Sequence, residues 1–278
     1  MEHLLSFSHR CGADPDLVLA GGGNTSLKEN GVLTVKSSGC SLADIRADQF
    51  VRMDLEALRA IVNKTYPHDD KSREALFLAD VNAARLPGET RRPSVEALLH
   101  ALFSQRYVLH LHPALVNGLT CGRFGARAAA KLFPEALWVP ACRPGYTLAR
   151  LLADRLTPEV TTVLLQNHGV FFAAETEDGL YALLDRMLQI LAAHVGRPLP
   201  PENALPPADL SRPFTPDHIV YCGLGPSLPD TENARLLYRD ACKILFYCQS
   251  FGGPHPLRRD LIRFITNWEA ESYRKKQG

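Results

Sequence analysis

Thr25-Ser26-Leu27-Lys28-Glu29-Asn30-Gly31-Val32-Leu33-Thr34-Val35-Lys36 reads as two short strands folded back on one another. Asn-Gly between alternating apolar residues is the strongest short-range hairpin signal, because both turn positions need positive φ. Working outward, apolar periodicity adds strands at 50–54, 108–112, 137–139, 161–166 and 170–174. It adds helices within 2–11 and over 71–85, 94–105, 124–132, 148–156 and 175–195, with Ser94 and Thr176 as N-caps. Strands and helices mix without strict β-α-β alternation. That pattern predicts an α/β fold, three-layer α/β/α, with a mixed, mostly antiparallel central sheet rather than a doubly wound parallel one. Residues 198–216 are rich in proline and read as a connector. A short extended piece at 219–221 and helices at 232–248 and 256–275 follow as a C-terminal helical appendage. The expected organisation is one main unit over 1–197, with 198–278 packed on the same domain.

The bulk composition excludes several classes. The 278 residues are 46% apolar and 22% charged, with a formal net charge of +1, ordinary values for a soluble globular protein. No basic stripe or polybasic patch suggests a nucleic-acid or membrane-surface partner. No apolar run approaches the ~20 residues of a membrane helix. The first ten residues lack the apolar core of a signal peptide. Seven cysteines, odd in number, irregularly spaced and without C-x-x-C, read as reduced, mostly buried thiols of a cytoplasmic protein.

Tyr107-Val108-Leu109-His110-Leu111-His112-Pro113 places two histidines two residues apart on a strand, so both face one way, close enough to grip one ion. Leu165-Gln166-Asn167-His168-Gly169 carries a third at a turn. A lone strand histidine is ordinarily a satisfied half-buried residue. The H-x-H pair, joined by Asn-His-Gly at the end of a second apolar run, makes a metal site the better reading. Three protein nitrogens with one position open are the arrangement of a catalytic zinc. The spacing from His112 to His168 carries no geometry; only the fold can bring them together. Pro93-Ser94-Val95-Glu96 supplies a carboxylate that could serve as the base such chemistry needs. His100, one turn beyond Glu96, fits a partner that orients the carboxylate or a buried histidine bonded to backbone equally well.

Gly21-Gly22-Gly23-Asn24-Thr25-Ser26 and Ser37-Ser38-Gly39 are Gly/Ser-rich turns at the two ends of the hairpin region. Their amides and hydroxyls could cradle a phosphate, although Gly-Gly-Gly alone is only a turn. Neither the P-loop nor the G-x-G-x-x-G pattern is present. Lys28 and Lys36 either add positive charge there or are solvated strand residues.

Taken in order, Gly23-Asn24-Thr25-Ser26, Lys36-Ser37-Ser38-Gly39, Ser94-Val95-Glu96, His110-Leu111-His112 and Asn167-His168-Gly169 resemble the class II aldolase/adducin-head family, over about residues 18–193. No one of these motifs is specific; the five in order are. The tail Trp268-Glu269-Ala270-Glu271-Ser272-Tyr273-Arg274 is similar to the end of the aldolase portion of bifunctional rhamnulose-1-phosphate aldolase/dehydrogenases, whose Rossmann half this sequence lacks. The resemblance implies a lyase that cleaves a ketose 1-phosphate, of rhamnulose- or fuculose-phosphate type, to dihydroxyacetone phosphate and an aldehyde. It implies Zn2+, or another divalent metal such as Mn2+ or Co2+, on His110, His112 and His168, with Glu96 as the catalytic carboxylate. Asn24, Thr25, Ser38, Gly39 and Ser94 would contact the phosphate of a small-molecule sugar phosphate. It further implies a homotetramer with sites between subunits and a proton-donating tyrosine from a neighbour, for which Tyr273 is a candidate. Two departures weaken the phosphate grip: glycine at Gly21 and Gly22, where the family often has a hydroxyl residue, and Val95, where it commonly has a second serine. The same scaffold also carries epimerases, dehydratases, decarboxylases and the non-enzymatic adducin head. In epimerases the similarity leads one to expect aspartate where Glu96 stands, and a non-catalytic head has no need of all three histidines.

Overall fold

In the computed structural model, which describes residues 1–225, 227–270 and 273, the hairpin forms as its sequence demands. After α1 (Glu2–Gly12), β1 (Asn24–Glu29) turns into β2 (Val32–Lys36) through Asn30 and Gly31, whose φ values are 50° and 76°. Next come β3 (Phe50–Asp54), α2 (Leu55–Ala60), α3 (Asp70–Ala83), α4 (Ala97–Leu102) and β4 (Tyr107–Leu111). They are followed by α5 (Ala114–Thr120), α6 (Gly125–Leu132), β5 (Leu137–Val139), α7 (Tyr146–Ala153), β6 (Thr162–Leu165), β7 (Gly169–Ala174) and α8 (Glu177–Val195). A π-helical turn (His218–Cys222), α9 (Glu232–Cys248) and α10 (Arg259–Asn267) complete the C-terminal region. The sheet has seven strands in the order β3-β2-β1-β4-β7-β6-β5. Only the β5–β6 pair is parallel, so the sheet is mixed and mostly antiparallel, as the sequence predicts.

Strand periodicity sorts the side chains into two cores, one on each face of the sheet. Leu33, Val35, Met53, Val108 and Phe171 face one side, where they pack with Leu58 of α2, Phe77 of α3, Leu98 of α4 and Leu148 of α7. Leu27, Leu109, Leu111, Val170 and Phe172 face the other and meet Phe7 of α1, Val116 of α5, Ala129 of α6 and Leu184 of α8. The three-layer architecture follows from that division. Thr176 caps α8 by accepting from the Gly179 amide, as expected. On the outside, α9 packs across α5 through Ala241, Ile244 and Cys248. All seven cysteines are free thiols, five of them buried. Among the described residues no helix is long and apolar enough to cross a membrane.

Four local expectations are corrected. The helix expected from Ser94 begins only at Ala97, because the preceding residues are held extended: Pro93 bridges Ser37, and the Ser94 amide donates to Lys36 O. α5 escapes notice in the sequence, since Val116, Asn117, Gly118 and Thr120 are weak helix formers. Burial of Val116 and Leu119, together with the packing of α9, holds it. Ile219-Val220-Tyr221, β-branched and aromatic, forms a π-helical turn instead of an extended piece. The helix expected over 256–275 starts at Arg259 and is interrupted after Asn267 by an extended Trp268, beyond which Glu269 and Ala270 are helical again. Of the tail quoted above, Glu271, Ser272 and Arg274 lie outside the described residues.

Candidate metal centre

The three histidines meet on the face of the sheet that α4 covers. His110 of β4 pairs in register with Asn24 of β1 and Phe171 of β7, so these three side chains share that face. Its ring stacks on Phe171 at 4.1 Å and 15°. Its Nδ1 lies 3.0 Å from Val170 O, which can only accept, so Nδ1 carries the proton and Nε2 is left with its lone pair. His112 stands just past the strand with the same parity. Its Nδ1 donates to Asp217 Oδ2 at 2.6 Å, and its Nε2 lies 2.9 Å from His110 Nε2. His168 sits in the β6–β7 turn, where Asn167 takes the left-handed conformation at φ 60°. Asparagine tolerates that region better than most residues. Gly169 is required for a different reason: a Cβ there would stand 2.3 Å from Leu111 O and 2.7 Å from His112 Cδ2. The Asn-His-Gly motif therefore lets the turn close onto β4.

One ligand nitrogen from each histidine lies within 4.8 Å of the others. Glu96, at the N-terminus of α4, aims Oε1 at the same point, 3.3 Å from His110 Nε2 and 3.4 Å from His168 Nε2. The donor set fits a divalent cation. With both Nδ1 atoms committed as donors, two neutral rings set their Nε2 lone pairs against each other at 2.9 Å, an arrangement that a shared cation relieves. Glu96 Oε1 is buried without a hydrogen-bond partner, which also suits a positive charge beside it. Three imidazoles are ligands typical of zinc, and manganese or cobalt also accept imidazole with carboxylate.

Burial, opposed by Glu96, holds the His168 imidazole down to about 3. Burial and then the neighbouring His110 place His100 well below its ordinary value. For Glu96, burial raises the carboxyl, but His110, His168 and His112 together bring it well below the usual carboxylate range. The two depressed histidines have a measurable consequence. As pH falls below the ordinary value of 6.5, the unfolded chain takes up protons that these folded rings refuse, until His168 titrates near 3. Metal-free protein is therefore expected to lose stability from about pH 6.5 downward, by up to about 1.4 kcal/mol per ring per pH unit, and to be insensitive to these rings above it. Urea midpoints of chelator-treated protein across that interval test this; a flat profile would contradict it.

The remaining residues singled out in the sequence divide into two groups. Asn24 faces the cluster, and its Nδ2 donates to Glu96 Oε2 at 2.5 Å. Ser94 Oγ accepts from the Glu96 amide at 3.2 Å. Thr25 points to the opposite face, fully buried, with Oγ1 2.6 Å from Ser8 Oγ of α1. Ser38 and Gly39 line a separate cavity of about 620 Å³ whose wall also carries Arg85, Arg91, Arg92 and Tyr273. Tyr273 lies over the Arg92 guanidinium at 4.7 Å, on that cavity and not at the histidines. His100 is buried, but among the described residues its ring bonds neither to Glu96 nor to backbone: Nδ1 is 2.7 Å from Ser26 Oγ and Nε2 has no hydrogen-bond partner, while its carbonyl accepts from Lys28 Nζ.

The glycine turn offers little to an anion. The Gly21 amide donates to Tyr221 Oη and the Gly22 amide to Leu19 O. Lys36 is buried rather than solvated, its ammonium bonded to the carbonyls of Gly21, Gly22 and Cys40. Lys28 is also buried, which together with Arg59 lowers its ammonium to about 7. The space directly beside Glu96 and His168 is only about 20 Å³, walled in part by Pro216 and Trp268. Sequence reasoning missed Asp217 altogether. It stands at the end of the proline-rich connector, and no spacing or periodicity ties it to His112.

The family described as "Class II Aldolase and Adducin N-terminal domain" matches residues 2–192. The "Uncharacterized oxidoreductase YuxG" of Bacillus subtilis (strain 168) is 30% identical over 193 residues, 65% of this chain and 27% of that protein. The chain thus spans about a quarter of the length of that curated relative. Among solved structures, the N-terminal class II aldolase domain of a conserved protein from Thermoplasma acidophilum superposes with a TM-score of 0.58 at 28% identity, covering 68% of this chain and 89% of that one. YgbL from Klebsiella pneumoniae superposes at 0.51 with 17% identity, over 69% of this chain and 86% of that one, a likeness of fold.

Proposed function

The chain belongs to the class II aldolase and adducin family, and from that premise we propose that it is a metal-dependent aldolase. Its substrate is a ketose 1-phosphate of rhamnulose- or fuculose-phosphate type, cleaved to dihydroxyacetone phosphate and an aldehyde. The observation that carries this reading is the convergence of His110, His112 and His168 on the buried Oε1 of Glu96. A non-catalytic head gives no reason for three imidazoles and a carboxylate to be buried face to face.

A divalent ion bound by the three histidines supplies Lewis-acid stabilisation of negative charge on the substrate oxygens. The chain's own residues do the rest. Glu96 Oε1 moves the proton at the carbon bearing the hydroxyl, while Asn24 holds Oε2 and so fixes the carboxylate plane. Ser38 and Gly39 take the phosphate on the 620 Å³ cavity, whose wall carries Arg85, Arg91 and Arg92, and Ser94, bonded to the Glu96 amide, lies toward the metal end of the substrate. Thr25, turned to α1, has no part in it. The roughly 20 Å³ beside Glu96 holds about one water. A ketose phosphate therefore gains access only when part of the wall around that space moves. On this reading residues 1–197 carry the chemistry, 198–278 wrap it, and the protein works in the cytoplasm as a homotetramer.

The test is a cleavage screen. Protein loaded with zinc, manganese or cobalt is offered a panel of ketose 1-phosphates, and dihydroxyacetone phosphate release is followed by coupled reduction. Release from at least one member is expected. Turnover of a sugar phosphate with no aldehyde formed would replace the aldolase by an epimerase or dehydratase on the same site.

A further inference from the structure

Asp217 lies 105 residues beyond His112, outside the stretch that matches the family, yet the two side chains are joined. Both are buried, with 8% of the histidine side chain and 5% of the aspartate exposed. The bond between Nδ1 and Oδ2 is 2.6 Å, the short length expected when a carboxylate accepts. The segment bearing Asp217 is tied down on two sides. The next residue, His218, is fully buried; its Nε2 lies 3.2 Å from Asp240 of α9 and its Nδ1 3.3 Å from Thr215 Oγ1. Three residues further, Tyr221 Oη accepts from the Gly21 amide at 3.1 Å. The glycine turn forms the seat: a Cβ on Gly22 would stand 3.0 Å from Asp217 Oδ2 and 3.2 Å from His112 Nδ1, and one on Gly21 would stand 2.7 Å from Tyr221 Oη. A turn whose Gly21 and Gly22 amides are already bonded to Tyr221 and Leu19 thus has a use, which is to admit the C-terminal segment against His112.

We propose that Asp217 is a positioning residue of the metal centre, and that the C-terminal region completes that centre by delivering it. The carboxylate keeps the proton of His112 on Nδ1, aims the Nε2 lone pair at the ion and raises its basicity. α9, through Asp240 and His218, and the glycine turn, through Tyr221, hold the carboxylate in place. The inference rests on the reading of the three histidines as metal ligands.

Zinc affinity is measured by competition with a chromophoric chelator for the wild type, Asp217→Asn and Gly22→Ala, beside the thermal melt of each metal-free protein and the ligand-field spectrum of each cobalt form. Asparagine keeps the shape and an acceptor oxygen, so a merely structural hydrogen bond survives it. Asp217→Asn is expected to bind zinc about 10–100-fold more weakly, with a cooperative metal-free melt and an altered cobalt spectrum. Gly22→Ala, which leaves the aspartate in place but crowds the pair, is expected to move affinity in the same direction; it decides the matter if Asp217→Asn does not fold. Wild-type affinity and an unchanged cobalt spectrum in a folded Asp217→Asn overturn this inference alone. A wild type that binds no ion overturns the histidine reading and this inference with it.

Discussion

Glu96→Gln is expected to keep its metal and lose about 10²–10⁴-fold in turnover. The three nitrogen donors are untouched, so metal content should match that of the wild type. Shape is preserved too. The amide oxygen of glutamine can take the bond from Asn24 Nδ2 that Oε2 now accepts, leaving the NH2 toward His110 and His168. What disappears is the capacity to accept a proton at the position of Oε1. A residue that only filled space would give a variant with an ordinary rate. A proton-transfer residue gives one whose kcat falls while KM changes little, because substrate contacts elsewhere remain. Steady-state kinetics on the best substrate from the cleavage screen, run beside metal analysis of the same preparation, distinguishes the two. Full cleavage by the glutamine variant would remove Glu96 from the chemistry.

The legible parts of this site are those governed by local periodicity. His110 and His112 share a face because strands alternate, and the strand reading alone is enough to pair them. The same rule tells against Thr25. As the immediate neighbour of Asn24 it must face the opposite side, and it does, so carrying over both residues of one motif to one ligand conflicts with strand geometry. The Asn-His-Gly turn is legible as a motif, but its physical reason, the approach of residue 169 to Leu111 O, exists only once β4 and β7 are paired. The rest is long-range. Ser94 is a sound N-cap by type, yet pairing of 93–94 with the end of β2 delays the helix by three residues, and no local signal reports that. Asp217 reaches the site, with Asp240 and Tyr221 holding its segment, through packing of the C-terminal region, which overrides the β-branched pattern at 219–220 and makes a π-helical turn where an extended piece is expected. Lys36 looks like a solvated strand residue until the glycine carbonyls it binds are seen to be buried with it.

His110→Ala should remove metal binding and, with it, every stability gain that metal confers. The substitution has two separable costs. One is mechanical: a fully buried ring stacked on Phe171 is deleted and the bond to Val170 O is lost, at about 3 kcal/mol by analogy with other buried aromatic truncations. The other is linkage. An ion present at a hundred times its dissociation constant stabilises the folded wild type by about 2.7 kcal/mol, and a variant without the site receives none of it. Urea unfolding with and without zinc separates them, because the mechanical loss is present in both conditions while the linkage difference appears only on adding metal. In the wild type zinc should raise the midpoint; in His110→Ala the two curves should coincide at a lower midpoint. The comparison does not depend on the variant being as stable as its parent, only on its unfolding cooperatively in both conditions. If zinc shifts the alanine variant as far as it shifts the wild type, the stabilising ion sits elsewhere in the molecule, and the buried imidazoles need another explanation for their convergence on Glu96.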